Sequence, residues 1–186
     1  MPARLTTLPE IEAAVWQRLG QAVTDKAHEW RNPVLATING DAADARTVVL
    51  REVSERQKQL LFYTDERAGK VSQLLHHPHG MVVMWSRALG WQLRCHVRLA
   101  LEMSGLSSTS RWARIRLTPA AKEYLSAMPP GAPLANVLHA ASGAVARDYF
   151  AVINAEIERI DWLELHPDGN RRALFADAQG ARWIQP

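Results

Sequence analysis

Apolar positions along the chain change their period several times, and each change marks an element. Thr7-Leu8-Pro9-Glu10 has the Thr-x-x-Glu spacing of a capping box, with proline inside the first turn. Ile11, Val15, Leu19 and Val23 then recur on one face, predicting an amphipathic helix over 8–30. Shorter apolar runs predict strands over 33–38, 45–53 and 60–64, with Asn39-Gly40-Asp41 as a turn. Val71, Leu74 and Leu75 return to helical spacing within 68–77, and Pro78 ends that run. Strands are predicted again over 80–85 and 91–103. From Ser107 the pattern is helical, Thr118-Pro119 restarts a helix, and 128–133 reads as a rigid proline-rich loop. Tyr149, Val152, Ile153 and Ile157 fall at helical spacing and predict a helix over 144–158. Short strands at 160–165, 171–176 and 182–184 finish the chain, separated by turns at 167–170 and 178–180.

Strands joined by short polar turns pair antiparallel most economically, because parallel pairs need long crossovers. A sheet of roughly six such strands removes its edges by closing into a barrel. The expectation is an α+β fold, mainly antiparallel β, forming a single domain over 1–186. The helix at 8–30 precedes its sheet, and a helical insertion at 107–158 precedes the last strands. With 186 residues, 47% apolar and 22% charged, the chain has the composition of an ordinary globular domain. It has no run of 18 apolar residues, so no membrane span is expected. The N-terminus lacks the basic-then-apolar build of a signal peptide. A single cysteine, Cys95, excludes an internal disulfide framework and fits a reducing compartment, so the cytoplasm is expected. The net charge of +3 suits a small anionic ligand but is too small to argue for nucleic acid, and no block of five like charges occurs.

The chemistry concentrates in Arg46-Thr47-Val48-Val49-Leu50-Arg51, read with Tyr63, Thr64 and Lys70. Two guanidiniums bracket an apolar, β-branched strand, hydroxyls follow on the next strand, and a lysine opens the helix after it. Guanidinium forks grip phosphate through paired charge-assisted hydrogen bonds, and an apolar strand can back a flat ring. A phosphate attached to a flat ring is what flavin mononucleotide (FMN) presents.

This run resembles the FMN-binding segment of the pyridoxamine 5′-phosphate oxidase family, the split-barrel flavoproteins. The likeness covers about residues 33–100 and rests on Arg46, Val48, Val49, Leu50, Arg51, Tyr63, Thr64 and Lys70, with Gln92 matching the family's glutamine on a later strand. It implies an FMN-binding split β-barrel with flanking helices. FMN contacts are expected at Arg46, Thr47, Val48, Val49, Leu50, Arg51, Tyr63, Thr64, Lys70 and Gln92. A homodimer with FMN at the subunit interface is also implied, as is an FMN-dependent oxidoreductase moving a hydride between a small substrate and the flavin. The flavin carries that chemistry, so no side chain is assigned a catalytic role.

On the substrate side the resemblance implies Arg51, Trp112, Arg116 and Arg171, while Ala120 and Ala173 stand where the family's serine and histidine fall. The family's late tryptophan falls near Trp162 or Leu163. Two further functions compete with oxidation of a vitamin B6 phosphate. One is a flavin reductase, or another FMN-binding protein with a different substrate. The other is a non-catalytic β-barrel module binding anions or nucleic acid, with arginines beside aromatics. His76, His77 and His79 are split by Pro78 and lack neighbouring carboxylates or cysteines, so no metal site is expected. Cys95 reads as a strand residue.

Overall fold

The computed structural model describes residues 4–133, 148–176 and 180–186. Helix α1 (Leu8–Thr24) begins with the capping box read from sequence: Glu10 N donates to Thr7 Oγ1, and Thr7 N donates to Glu10 Oε2. It stops six residues short of position 30. Asp25 turns the chain out of helical geometry, accepting from Ala27 N at 2.8 Å, and Arg31 reaches back to the carbonyls of Ala22 and Val23 from a single 3₁₀ turn at Glu29–Arg31.

Among the described residues nine strands follow: β1 (Val34–Asn39), β2 (Ala42–Thr47), β3 (Leu50–Ser54), β4 (Gln59–Asp65), β5 (His79–Ser86), β6 (Trp91–Glu102), β7 (Phe150–Glu164), β8 (Arg171–Ala176) and β9 (Arg182–Ile184). Helix α2 (Gly69–His76) lies between β4 and β5, and α3 (Leu106–Ile115) follows β6. The predicted strand at 45–53 is two strands, interrupted at Val48-Val49. Among the described residues, the insertion expected at 107–158 contains α3 and a 3₁₀ segment at Pro119–Tyr124 and gives way to β7 from residue 150. The helix expected at 144–158 is overturned from residue 150 onward, where the chain is the long strand β7; 144–147 lie outside the described residues.

Every pairing is antiparallel, in the order β2-β1-β5-β6-β7-β4-β3 with β8 and β9 branching off β7. β7 is where the sheet forks. One edge pairs with β6, while the other pairs with β4 through Glu156 and with β8 from Arg159 onward. The sheet does not close by hydrogen bonds. Its end strands, β2 and β3, are nevertheless consecutive in sequence and joined only by Val48-Val49. Three Cα steps hold Thr47 and Leu50 within about 11 Å of one another, so the sheet must curl until its ends meet at this seam. Leu35, Leu50, Phe62, Val82, Leu93 and Trp162 fill the enclosed core together with Ile11, Val15 and Leu19 of α1. A second cluster of Leu61, Tyr124, Phe150 and Val152 packs on the other side of β4, with Tyr63, Trp112 and Ile115 against it.

Candidate functional site

Two basic sites flank the seam. The first is built from β2, β4 and α2. Arg46 lies on the same face of β2 as Asp44, two residues earlier, and opposite Leu35 of β1. Its Nη1 donates to Leu35 O at 3.3 Å and Thr37 Oγ1 at 2.5 Å; its Nη2 donates to Gln73 Oε1 at 2.9 Å and pairs with Asp44 Oδ2 at 2.7 Å. Gln73, on α2, also accepts from Thr37 Oγ1 and donates to Asp44 Oδ2 at 2.7 Å. The guanidinium is therefore fixed from several sides. Lys70, in the first turn of α2, donates to Thr64 Oγ1 at 3.3 Å. Burial holds the Lys70 ammonium below the usual lysine value, and the nearby Arg46 charge adds to that. No side chain caps the start of α2 and no acidic residue stands in its first turn. Two cations, a hydroxyl and the positive end of a helix thus share one patch, a donor set that fits a phosphate monoester.

The second site is a groove of about 290 Å³ between α1, β3 and α3, lined by Arg31, Arg51, Glu52, Tyr63, Arg111 and Arg114 among others. A register irregularity between Leu50 and Glu52 leaves Arg51 without a ladder partner on β4. The Arg51 guanidinium lies 5.6 Å from the centre of the Tyr63 ring. Arg111 grips both oxygens of Glu52, at 2.8 and 2.9 Å, and Tyr63 donates its hydroxyl to the same carboxylate at 2.7 Å. The Arg111 bond is the main reason Glu52 stays below the usual carboxylate range; burial and the Glu52 acceptor push the Tyr63 phenol up. Four guanidiniums face one carboxylate, so the groove carries an excess of positive charge.

Arg46, Thr64 and Lys70 converge at the first site. Arg51 and Tyr63 face the groove on the other side of β4, while Leu50 is wholly buried in the core and Val48 packs against it. Val48 and Val49 are the seam, and Thr47 is an exposed edge residue opposite Val34. Gln92 stands apart, on the outer face of the sheet opposite Trp85 and Leu163. Trp112 packs on Tyr124 and Phe150, with ring centres 6.2 and 5.5 Å away, rather than lining the groove. Arg116 is the exposed C-cap of α3. Arg171 is at the far end of β7 from Phe150, bonded to Glu164 at 2.9 Å and to Leu5 O at 2.7 Å, where it ties the N-terminal segment to β8. The sequence reading missed Arg31, Glu52, Arg111 and Arg114 in the groove, and Asp44, Thr37 and Gln73 around Arg46. Position 111 is one residue from the tryptophan that was chosen, so the helix was identified and its face was not. Among the described residues, no group of histidine, cysteine, aspartate or glutamate is arranged for a metal. No helix there is long and apolar enough to cross a membrane.

Residues 13–101 match the family model of the pyridoxamine 5′-phosphate oxidase FMN-binding domain. Among solved structures, a pyridoxamine 5′-phosphate oxidase-related, FMN-binding protein from Nostoc punctiforme is similar over 98% of this chain and 100% of its own, with 22% identity and a TM-score of 0.73. PhzG from Burkholderia lata, solved with tetrahydrophenazine-1-carboxylic acid, is similar over 96% and 92%, with 16% identity and a TM-score of 0.74. ChuZ from Campylobacter jejuni shares 10% identity over 97% of this chain and 64% of its own, with a TM-score of 0.57. None of the curated proteins matches this sequence.

Proposed function

We propose that the chain is an FMN-dependent oxidoreductase acting on a small anionic substrate, a reading supported by the match of residues 13–101 to the pyridoxamine 5′-phosphate oxidase FMN-binding domain and by the fold it shares with an FMN-binding relative of that oxidase. The observation that carries this reading is the convergence of Arg46, Lys70 and Thr64 beside a separate arginine-lined groove. When bound, FMN supplies the hydride acceptor or donor. Arg46, Lys70, Thr64 and the start of α2 hold its phosphate. Across the seam, Arg51, Arg111 and Arg114 hold the anionic group of the substrate. Tyr63 positions Glu52 and, with its phenol pushed up, keeps its proton at neutral pH.

Vitamin B6 phosphates are the less favoured substrates. Ala173 is fully buried between Trp162 and Trp183 of the neighbouring strands, so its site offers no ring-contacting side chain. A ring carboxylate suits the guanidiniums at least as well, and the similar PhzG structure holds such a compound. A flavin reductase would use the same FMN site.

The second copy expected for this family is part of the proposal. Val34, Ile38 and Trp85, at 38, 41 and 45% exposure, share the outer face with Gln92. A partner subunit covering that face would bring Gln92 toward a flavin held by the other copy. Cytoplasmic residence completes the reading, since the single cysteine, Cys95, is buried and free and calls for no oxidising compartment.

Purified protein should be yellow and release FMN on heating. Anaerobic titration with reduced nicotinamide, pyridoxamine phosphate and aromatic carboxylates then identifies the reductant by bleaching of the flavin. Colourless protein that cannot be reconstituted with FMN would overturn the proposal.

A further inference from the structure

We propose that Asp44 is an internal competitor for the FMN phosphate, occupying the Arg46 guanidinium and setting how tightly the cofactor is held. This rests on the assignment of Arg46, Lys70 and Thr64 to the phosphate. An arginine has five N–H groups. In Arg46, Nη1 faces Leu35 O and Thr37 Oγ1, and Nη2 faces Gln73 Oε1 and Asp44 Oδ2, which leaves only Nε outside these contacts. A two-pronged grip on a phosphate needs two N–H groups on one edge of the guanidinium. One prong is Nε; the other has to come from a nitrogen already engaged.

Asp44 is the partner that can yield. Its side chain is 43% exposed, whereas Thr37 is buried and Gln73 is held by three members of the cluster. Among the described residues, Asp44 is also the only formal negative charge that Arg46 contacts. It can be displaced, and where it stays it repels the incoming phosphate.

A carboxylate beside a cation could instead serve to orient it, in which case its removal would weaken binding. The geometry argues against that role. Without Asp44, the guanidinium keeps three uncharged acceptors: a backbone carbonyl, a hydroxyl and an amide oxygen. Gln73 loses its contact to Asp44 but stays held by Thr37 and Arg46, so orientation survives the loss and the charge effect decides the sign. In the empty protein, Asp44 neutralises one of two neighbouring cations that would otherwise repel each other. The phosphate takes over that task on binding, and the cofactor is held as an exchangeable ligand.

The test compares FMN with riboflavin, which lacks the phosphate, by quenching of flavin fluorescence in wild-type protein and in Asp44→Asn and Asp44→Ala. Both variants should bind FMN roughly three- to tenfold more tightly, the size of one partly screened charge contact. Riboflavin affinity should stay unchanged, and the FMN gain should shrink as salt rises. Weaker or unchanged FMN binding in both variants, or equal gains for FMN and riboflavin, would overturn the inference while leaving the cofactor site intact. Wild-type protein that binds neither flavin would overturn the cofactor site and this inference with it.

Discussion

In the proposed function Arg46 would link cofactor and scaffold at the level of a single side chain. Removing one charged hydrogen-bond donor from an anion costs about 1.5–3 kcal/mol, so Arg46→Ala should lower FMN affinity roughly ten- to a hundredfold and barely change riboflavin affinity. Equilibrium titration with both flavins checks this, and equal losses would mean that Arg46 does not meet the phosphate. Gly90 is a purely structural counterpart at the β5–β6 turn. Its φ of +65° is strained for any other residue, and an added Cβ would sit 2.5 Å from the carbonyl oxygen of Leu165. That residue's N–H donates to Gly90 O at 2.8 Å, so the two backbones cannot simply part. Gly90→Ala should cost about 2–3 kcal/mol and lower the melting temperature by roughly 4–12 °C, as read by calorimetry.

Among the elements, β1, β4, β5 and β6 were legible because their apolar runs are bounded by turn residues, and because β6 alternates between buried and more exposed positions over most of its length. β7 was not. Flanked on both edges and buried over much of both faces, its first half loses the alternation that marks a half-exposed strand. Tyr149, Val152, Ile153 and Ile157 then mimic a helical stripe. The site divides the same way. Arg46, Thr64 and Lys70 could be read from their order along consecutive elements. The Glu52–Arg111 pair spans 59 residues and forms only because α3 folds back over β3. Asp44 carried a local signal, its spacing of two from Arg46 on one strand face.

The outer face of β6–β8 makes a prediction about pH. His96 Nε2 accepts from Arg159 Nη2 at 2.8 Å, which only a neutral ring can do. Burial, then Arg159, hold its pKa below the usual histidine value. An unfolded chain takes up that proton near pH 6.5 and the folded one only lower, so stability falls as pH drops below about 6.5 and levels off once the folded ring is charged. Burial alone would raise Asp161, but Arg172 and Arg94 outweigh it and its pKa is lowered. Its contribution is complete above about pH 3.9 and lost as pH falls through the depressed folded value. Melting temperature should descend in two stages on acidification. His96→Gln should blunt the first and Asp161→Asn the second; a profile unmoved by either refutes the assignment.

For the whole molecule, the seam and the outer face make one argument. Curling the sheet brings Arg46 and Arg51 to either side of Val48-Val49, but it sends Gln92 to the opposite surface, among exposed apolar side chains. A single copy therefore presents the proposed phosphate site and Gln92 on different faces. The twofold dimer proposed above would pair the same patch on both subunits, covering Trp85, Val34 and Ile38 and delivering Gln92 of each copy to the other. Trp85→Glu places a charge in the middle of that patch. It should shift the protein from twice the 20.8 kDa chain mass to the single-chain mass in light scattering. FMN occupancy should fall along with the dimer, although Arg46, Lys70 and Thr64 are untouched. Circular dichroism should be unchanged, since Trp85 projects outward and not into the core. Wild-type protein that is monomeric yet fully loaded with FMN would refute the shared site.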